Sequence, residues 1–183
     1  KKAKDPDNAA LIQKQIDELG GLEEYQRISL SGEVASSFES SDWVCAELKK
    51  RVTFNSRLRV LDVGAIRSRY AVNDTRIGRG IKMDVTSIDL QSEDPQVEKV
   101  DFFDYVKRPN TTAQFDVVVL SLVLNYLPAP LDRGRMLHKA ARLLKPGGLL
   151  FLVLPHAAIA NSRYMKFSLL ERILSRVGIP VAD

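Results

Sequence analysis

The sequence predicts an α/β domain: a mostly parallel, doubly wound sheet behind an N-terminal helical region. Three observations predict it. Five short runs are almost continuously Val, Leu and Ile, as central parallel strands covered on both faces require. Stretches with apolar residues at helical spacing separate the later runs. The pattern also switches near residue 53, from helices alone to alternating strands and helices. The expected division is therefore 1–52 for the helical region and 53–183 for the α/β domain.

The elements follow in order. "DPDNAALIQKQIDELGG" opens with Asp7 or Asn8 as a cap, carries Leu11, Ile12, Ile16 and Leu19 on one stripe, and stops at Gly20-Gly21. "LEEYQRISL" reads as a second short helix and "SSDWVCAELKKRV" as a third, with Ser40 or Ser41 as its cap. Strands are expected over 58–63, 85–90, 98–102, 115–124 and 148–155. Between the last two, Leu131, Met136, Leu137, Ala140, Leu143 and Leu144 form a helical stripe closed by Pro146-Gly147-Gly148. "RYMKFSLLERILSRVG" is a further amphipathic helix ending at Gly178. Residues 66–82 stand where the first crossover helix belongs, yet they lack helical periodicity. An irregular connection with several exposed arginines is expected there. The chain ends at "IPVAD", where another strand could begin, so the sheet is expected to be incomplete.

Composition narrows the function. The chain has 183 residues, 45% hydrophobic and 27% charged, with a net charge of +4, which suits one globular domain and tolerates a polyanionic partner. A single cysteine, Cys45, excludes an internal disulfide and points to a reducing compartment. With only His138 and His156 beside it, no His/Cys metal site is expected. The longest apolar run, "GGLLFLVLP", is of strand length, well short of the ~20 residues that cross a bilayer.

In such sheets ligands bind at the carboxyl ends of the strands, near the point where strand order reverses. Here the first strand ends in Asp62-Val63-Gly64-Ala65, the second in Asp89-Leu90, the third in Asp101-Phe102, and the fourth runs through Ser121 into "LNYLP". Gly64 lets backbone approach a ligand closely. Asp89, 25 residues further on, can accept from two ribose hydroxyls. Asp101 can accept from an adenine amino group while Phe102 covers the ring. The glycines of a dinucleotide fingerprint are missing, so few amides remain for a pyrophosphate. Ribose and adenine without phosphate fit S-adenosylmethionine. Asp62 either holds the glycine loop or caps a turn. Asp116, at a strand start, reads as structural; His138 reads as solvated, and Trp43 and Cys45 as helix packing. His156 follows a strand end and either touches a ligand or does not.

Together "LDVGA", "SIDL", "DFF", "FDVVVLSLVLNYLPAPLDRGRML", "PGGLLFLVLP" and "NSRYM" resemble the fungal large-subunit (25S) rRNA adenine-N1 methyltransferases, over roughly residues 15 to 178. The resemblance implies a Rossmann-like class I methyltransferase using S-adenosyl-L-methionine, with Gly64 and Asp89 at the cofactor. It implies large-subunit rRNA or a pre-ribosome as partner and the nucleolus as location; a monomer is expected, and composition already argues for no metal and no membrane. A related animal group uses the fold as a sensor of the same cofactor, which is one alternative. A small-molecule or protein methyltransferase is another. "VASSFESSDWV" departs from the family pattern by lacking a glycine pair.

Adenine N1 carries an in-plane lone pair, so transfer to it rests on alignment and needs no strong general base. The base must be unpaired or flipped to expose that edge. Asn125 and Tyr126, in "LNY", are the catalytic candidates. Asn125 can bind the 6-amino group and Tyr126 can stack on the base, or the two can cap a turn and pack inward. Arg67, Arg69, Arg133, Arg135, Arg163 and Lys166 lie on segments leaving the strands' carboxyl ends. Collectively they suggest an RNA-binding rim, although each alone reads equally as solvated surface.

Overall fold

The structure is a computed structural model that describes residues 39–182 apart from positions 54, 79, 110 and 112. The helices expected over 5–21 and 22–30 lie outside the described residues.

One five-stranded sheet organises the domain. β1 (Arg57–Val63), β2 (Lys82–Asp89), β3 (Val97–Lys99), β4 (Phe115–Ser121) and β5 (Leu144–Val153) lie in the order β3-β2-β1-β4-β5. Every neighbouring pair is parallel. The order reverses between β1 and β4, which makes that junction the switch point. The helices are α1 (Ser40–Arg51), α2 (Phe102–Tyr105), α3 (Pro130–Leu143), α4 (His156–Ala160) and α5 (Phe167–Arg176), with a 3-10 turn at Leu124–Tyr126.

Alternation along the strands fills two cores. On one face Leu61, Val63, Ile88, Val118 and Leu120 pack with Met136, Leu137, Ala140 and Leu143 of α3 and Leu170 and Leu174 of α5. On the other, Leu58, Val60, Met83, Val117, Val119 and Phe151 pack with Val44, Cys45 and Leu48 of α1. The last three are fully buried. At about 1.5–3 kcal/mol for each large side chain, their burial joins α1 to the sheet. The compact unit accordingly begins at Ser40, whereas the sequence suggested a boundary after residue 52. Trp43 completes this packing edge-on to Phe151, with ring centroids 5.5 Å apart.

Among the described residues the connection from β1 to β2 contains no helix, as its lack of periodicity indicated. Tyr70, Ile77 and Ile81 fill the space instead. Arg76 holds the connection in place. Its guanidinium donates to both Asp74 oxygens (2.9 and 2.7 Å), to Ser41 Oγ (2.9 Å), to Asp42 Oδ1 (2.7 Å) and to the Arg69 carbonyl. The expected exposed arginines are thus corrected in part: Arg67 is exposed, but Arg69 and Arg76 are half-buried.

Several features differ from expectation, and β5 already begins at Leu144, so the helix before it ends at Leu143 and not at Pro146-Gly147-Gly148. β4 stops at Ser121 because Leu122 adopts a positive φ of 55°, which ends extended pairing although the residues remain apolar. The third strand is three residues long, and Phe102 opens α2. Leu131 lies off the buried stripe of α3, 63% exposed. At the amino edge Asp116 accepts from the Arg59 amide and the Lys145 ammonium, both at 2.7 Å, and so ties three strands together. α5 ends where Gly178 (φ 86°) lets the Ile179 amide donate back to the Leu174 carbonyl at 2.9 Å.

Candidate functional site

The strand register brings the predicted ends together. One residue beyond the pairs Val63↔Ile88 and Val63↔Leu120 come Gly64, Asp89 and Ser121, on three adjacent strands. Asp101 follows β3 by two residues and adjoins Asp89 through the Val100 amide, which donates to the Asp89 carbonyl at 2.9 Å.

Gly64 has a φ of 76°, and a Cβ there would stand 3.1 Å from the Val123 side chain. The close approach is therefore to the segment after β4, which the sequence could not show. The amides of Gly64 and of buried Ala65 both donate to the Ile88 carbonyl, at 2.8 and 3.2 Å. They stiffen the turn and are not turned outward.

Asp89 Oδ1 accepts from the Gln91 amide at 2.7 Å, and Leu90 beside it is 66% exposed. Asp101 Oδ1 caps α2 by accepting from Phe103 and Asp104 amides at 2.6 and 3.3 Å. Phe102 is 5% exposed within the core. That corrects its expected role: a ring so buried cannot cover a ligand. Its neighbour Phe103, edge-on at 5.6 Å, is the half-buried member of the pair.

Asp62 faces the apolar core beside Tyr70, and its strand partner Ser87 is buried with an unpartnered Oγ. Burial pushes the Asp62 carboxyl up to about 7, against a smaller opposing pull from Arg69. Burial, with the nearby Asp62 charge, likewise pushes the Tyr70 phenol upward. Burial also raises the Cys45 thiol to about 11, so this cysteine is no ready nucleophile.

The β4 end is built differently. Ser121 Oγ donates to Ser40 Oγ at 2.8 Å, bringing the first residue of α1 to this edge. Ser40 is a site neighbour that sequence reasoning missed, 81 positions from its partner. Leu122 then turns the chain, and the 3-10 turn presents Asn125 and Tyr126. Asn125 Oδ1 is buried and has no hydrogen-bond partner. Tyr126 is 53% exposed. Arg133, one turn into α3, donates from Nε to the Leu127 carbonyl (2.7 Å) and from Nη2 to the Pro128 carbonyl (3.1 Å). The guanidinium thus fastens the Asn125 loop.

Of the other rim candidates, Arg135 pairs with Asp132 at 3.0 Å. It lines a cavity of about 400 Å³ with Phe103, Lys107, Asp132 and Lys139. Arg69 is half-buried toward Asp62, while Arg67, Arg163 and Lys166 are exposed. His156 and His138 are exposed on α4 and α3. Among the described residues no cluster of three metal-ligating side chains occurs, and no helix is long and apolar enough to cross a membrane.

Residues 10–183 match the model of a family described as 25S rRNA (adenine(2142)-N(1))-methyltransferase, Bmt2. A Saccharomyces cerevisiae protein named 25S rRNA (adenine(2142)-N(1))-methyltransferase is 31% identical over 172 residues, which are 92% of this chain and 49% of that protein. A Schizosaccharomyces pombe 25S rRNA adenine-N(1) methyltransferase is 30% identical over 175 residues, covering 86% of this chain and 60% of its own length. The chain thus spans about half the length of these relatives. A TehB-like SAM-dependent methyltransferase from Corynebacterium glutamicum shares the fold, with a TM-score of 0.54 and 18% identity over 88% of this chain and 91% of that one.

Proposed function

The chain belongs to the Bmt2 family of 25S rRNA adenine-N1 methyltransferases, and from that premise we propose that it carries the methyl-transfer site for an adenine N1 in large-subunit rRNA. The observation that carries this reading is the buried, unpartnered Asn125 Oδ1 at the end of β4. A buried acceptor left unmade costs about 1–3 kcal/mol, and an adenine 6-amino group is a donor that removes this cost.

The residues fit S-adenosylmethionine as donor. Bound there, it would supply a methyl group on a sulfonium and leave as a neutral thioether. Asp89 is at the strand end suited to the ribose hydroxyls, and only one of its oxygens is engaged by Gln91. Asp101, Ala65, Leu90 and Ser121 line the same edge, with Asp62 beneath it. Asn125 holds the adenine amino group and so fixes the in-plane direction of the N1 lone pair. Tyr126 covers the base. Attack by that lone pair needs no proton removed beforehand, in keeping with a site whose strand ends offer no paired nucleophile and base. The substrate is met as rRNA within a pre-ribosome in the nucleolus, and the protein acts as a monomer.

The test is transfer from labelled S-adenosylmethionine to large-subunit rRNA lacking the modification, using the full-length protein and nucleoside mass spectrometry. Label in 1-methyladenosine is the expected result. Cofactor binding with no transfer to naked rRNA or to pre-ribosomes would overturn it in favour of a sensor.

A further inference from the structure

The segment Arg163–Phe167, "RYMKF", leads from α4 into α5 and holds two of the rim candidates, Arg163 and Lys166. Its two ends differ in kind from its middle. Met165 packs against the core that also holds Leu124 of the 3-10 turn, and its amide donates to Ser162 Oγ at 2.8 Å. The Tyr164 amide reaches the same hydroxyl at 3.3 Å. The backbone is thus anchored while four side chains point outward. Tyr164 is 86% and Phe167 58% exposed; Arg163 and Lys166 are exposed as well.

Some cations on this face of the sheet are paired with carboxylates and others are not. Lys107, Arg108 and Arg135 are each paired with a carboxylate at 3.0 Å or less. Among the described residues Arg163 and Lys166 have no such partner. Two unpaired cations alternating with two exposed rings match a single-stranded polynucleotide, whose phosphates and unstacked bases alternate in the same way. A duplex offers the phosphates but keeps its bases stacked.

Resting on the methyltransferase reading, we propose that Arg163, Tyr164, Lys166 and Phe167 form a clamp for the single-stranded RNA that flanks the target adenine. Arg163 and Lys166 neutralise backbone phosphates, and Tyr164 and Phe167 each take a base. The clamp holds the neighbours of a base displaced toward Asn125.

The experiment uses the full-length protein, a fluorescein-labelled 12-nucleotide oligoadenylate and a 12-base-pair RNA duplex, with affinity read by anisotropy across a salt series. Tyr164→Ala and Phe167→Ala are each expected to weaken the single strand by about 5- to 150-fold, with the duplex little changed. Tyr164→Phe keeps the ring and should keep the affinity. Arg163→Gln with Lys166→Gln should make the single-strand salt slope shallower by about 1.4. Unaltered affinity and slope in all variants, or equal weakening by the Phe and Ala changes at 164, would overturn the clamp and give the strip to a protein surface. These readouts are independent of methyl transfer: a clamp confirmed without transfer leaves the function reading to fall alone, and transfer with an inert strip leaves the clamp to fall alone.

Discussion

The two halves of the sheet's carboxyl edge are finished to different degrees. At the β1–β3 half the strand-end groups are engaged locally, the Gly64 and Ala65 amides on Ile88, Asp89 on Gln91, and Asp101 on the first turn of α2, although Ser87 Oγ two residues short of Asp89 is buried without a partner. At the β4 half Leu122 sits at a positive φ and Asn125 keeps a buried oxygen with no donor. Unfavourable φ and unmet acceptors persist where surrounding structure enforces them, and they gather at sites that act on ligands. The difference is that one half holds its strand-end groups in local hydrogen bonds, whereas the other leaves an acceptor unmet, as the proposed adenine contact requires.

The largest test concerns a group beneath the finished half. The Asp62 carboxyl is pushed up to about 7 by burial, far above an unfolded aspartate. A raised carboxyl contributes stability that is fully present below about pH 4 and is lost as pH rises through 7. Asp62→Asn should therefore gain on the wild type as pH goes from 4 to 8, by up to about 4 kcal/mol for a shift of about three units. Urea unfolding at several pH values measures it; a constant difference would place a neutralising partner on Asp62.

A pair of substitutions then separates the halves directly. Asn125→Ala should lower kcat/KM for rRNA by about 100-fold, the loss expected of one well-placed hydrogen-bonding group at a transition state, while leaving cofactor affinity near normal. Asp89→Ala should do the reverse, weakening cofactor binding by roughly tenfold or more. Equal losses of both quantities in either variant, by calorimetry and steady-state kinetics, would erase the distinction.

The smallest effect belongs to Arg133, a positioning residue. Arg133→Ala frees the Leu127 and Pro128 carbonyls, and about a tenfold fall in kcat is expected at unchanged cofactor affinity. Arg133→Lys, which can satisfy one carbonyl, should recover part of it. A change in the salt dependence of RNA binding, with kcat untouched, would return Arg133 to the phosphate rim.

The strands were legible because Val, Leu and Ile leave no other reading for runs buried on both faces. The missing first crossover helix was legible too, from the absence of any stripe in 66–82. What filled its place was not: Arg76 finds Ser41 and Asp42 some 35 positions away, and local pattern carries no signal at that range. "DFF" announced an aromatic beside Asp101 but not which ring turns inward; the helical start at Phe102 decides that. The apolar run 115–124 concealed the break at Leu122, since a left-handed leucine has no sequence signature. Asn125 and Tyr126 were visible as polar residues at a strand end. That the Asn125 oxygen is stranded follows only from the packing around it.

A Cβ at Gly64 would stand 3.1 Å from the Val123 side chain, which would have to give by a few tenths of an ångström. The turn after β1 and the loop after β4 are therefore closely packed against each other. If the proposed donor and RNA sites stand on the two sides, any coupling between them is symmetrical: whatever factor the methyl donor lent to RNA affinity, RNA would lend back to the donor. Order of binding would then be a matter of rates alone, since the ternary state is the same by either route.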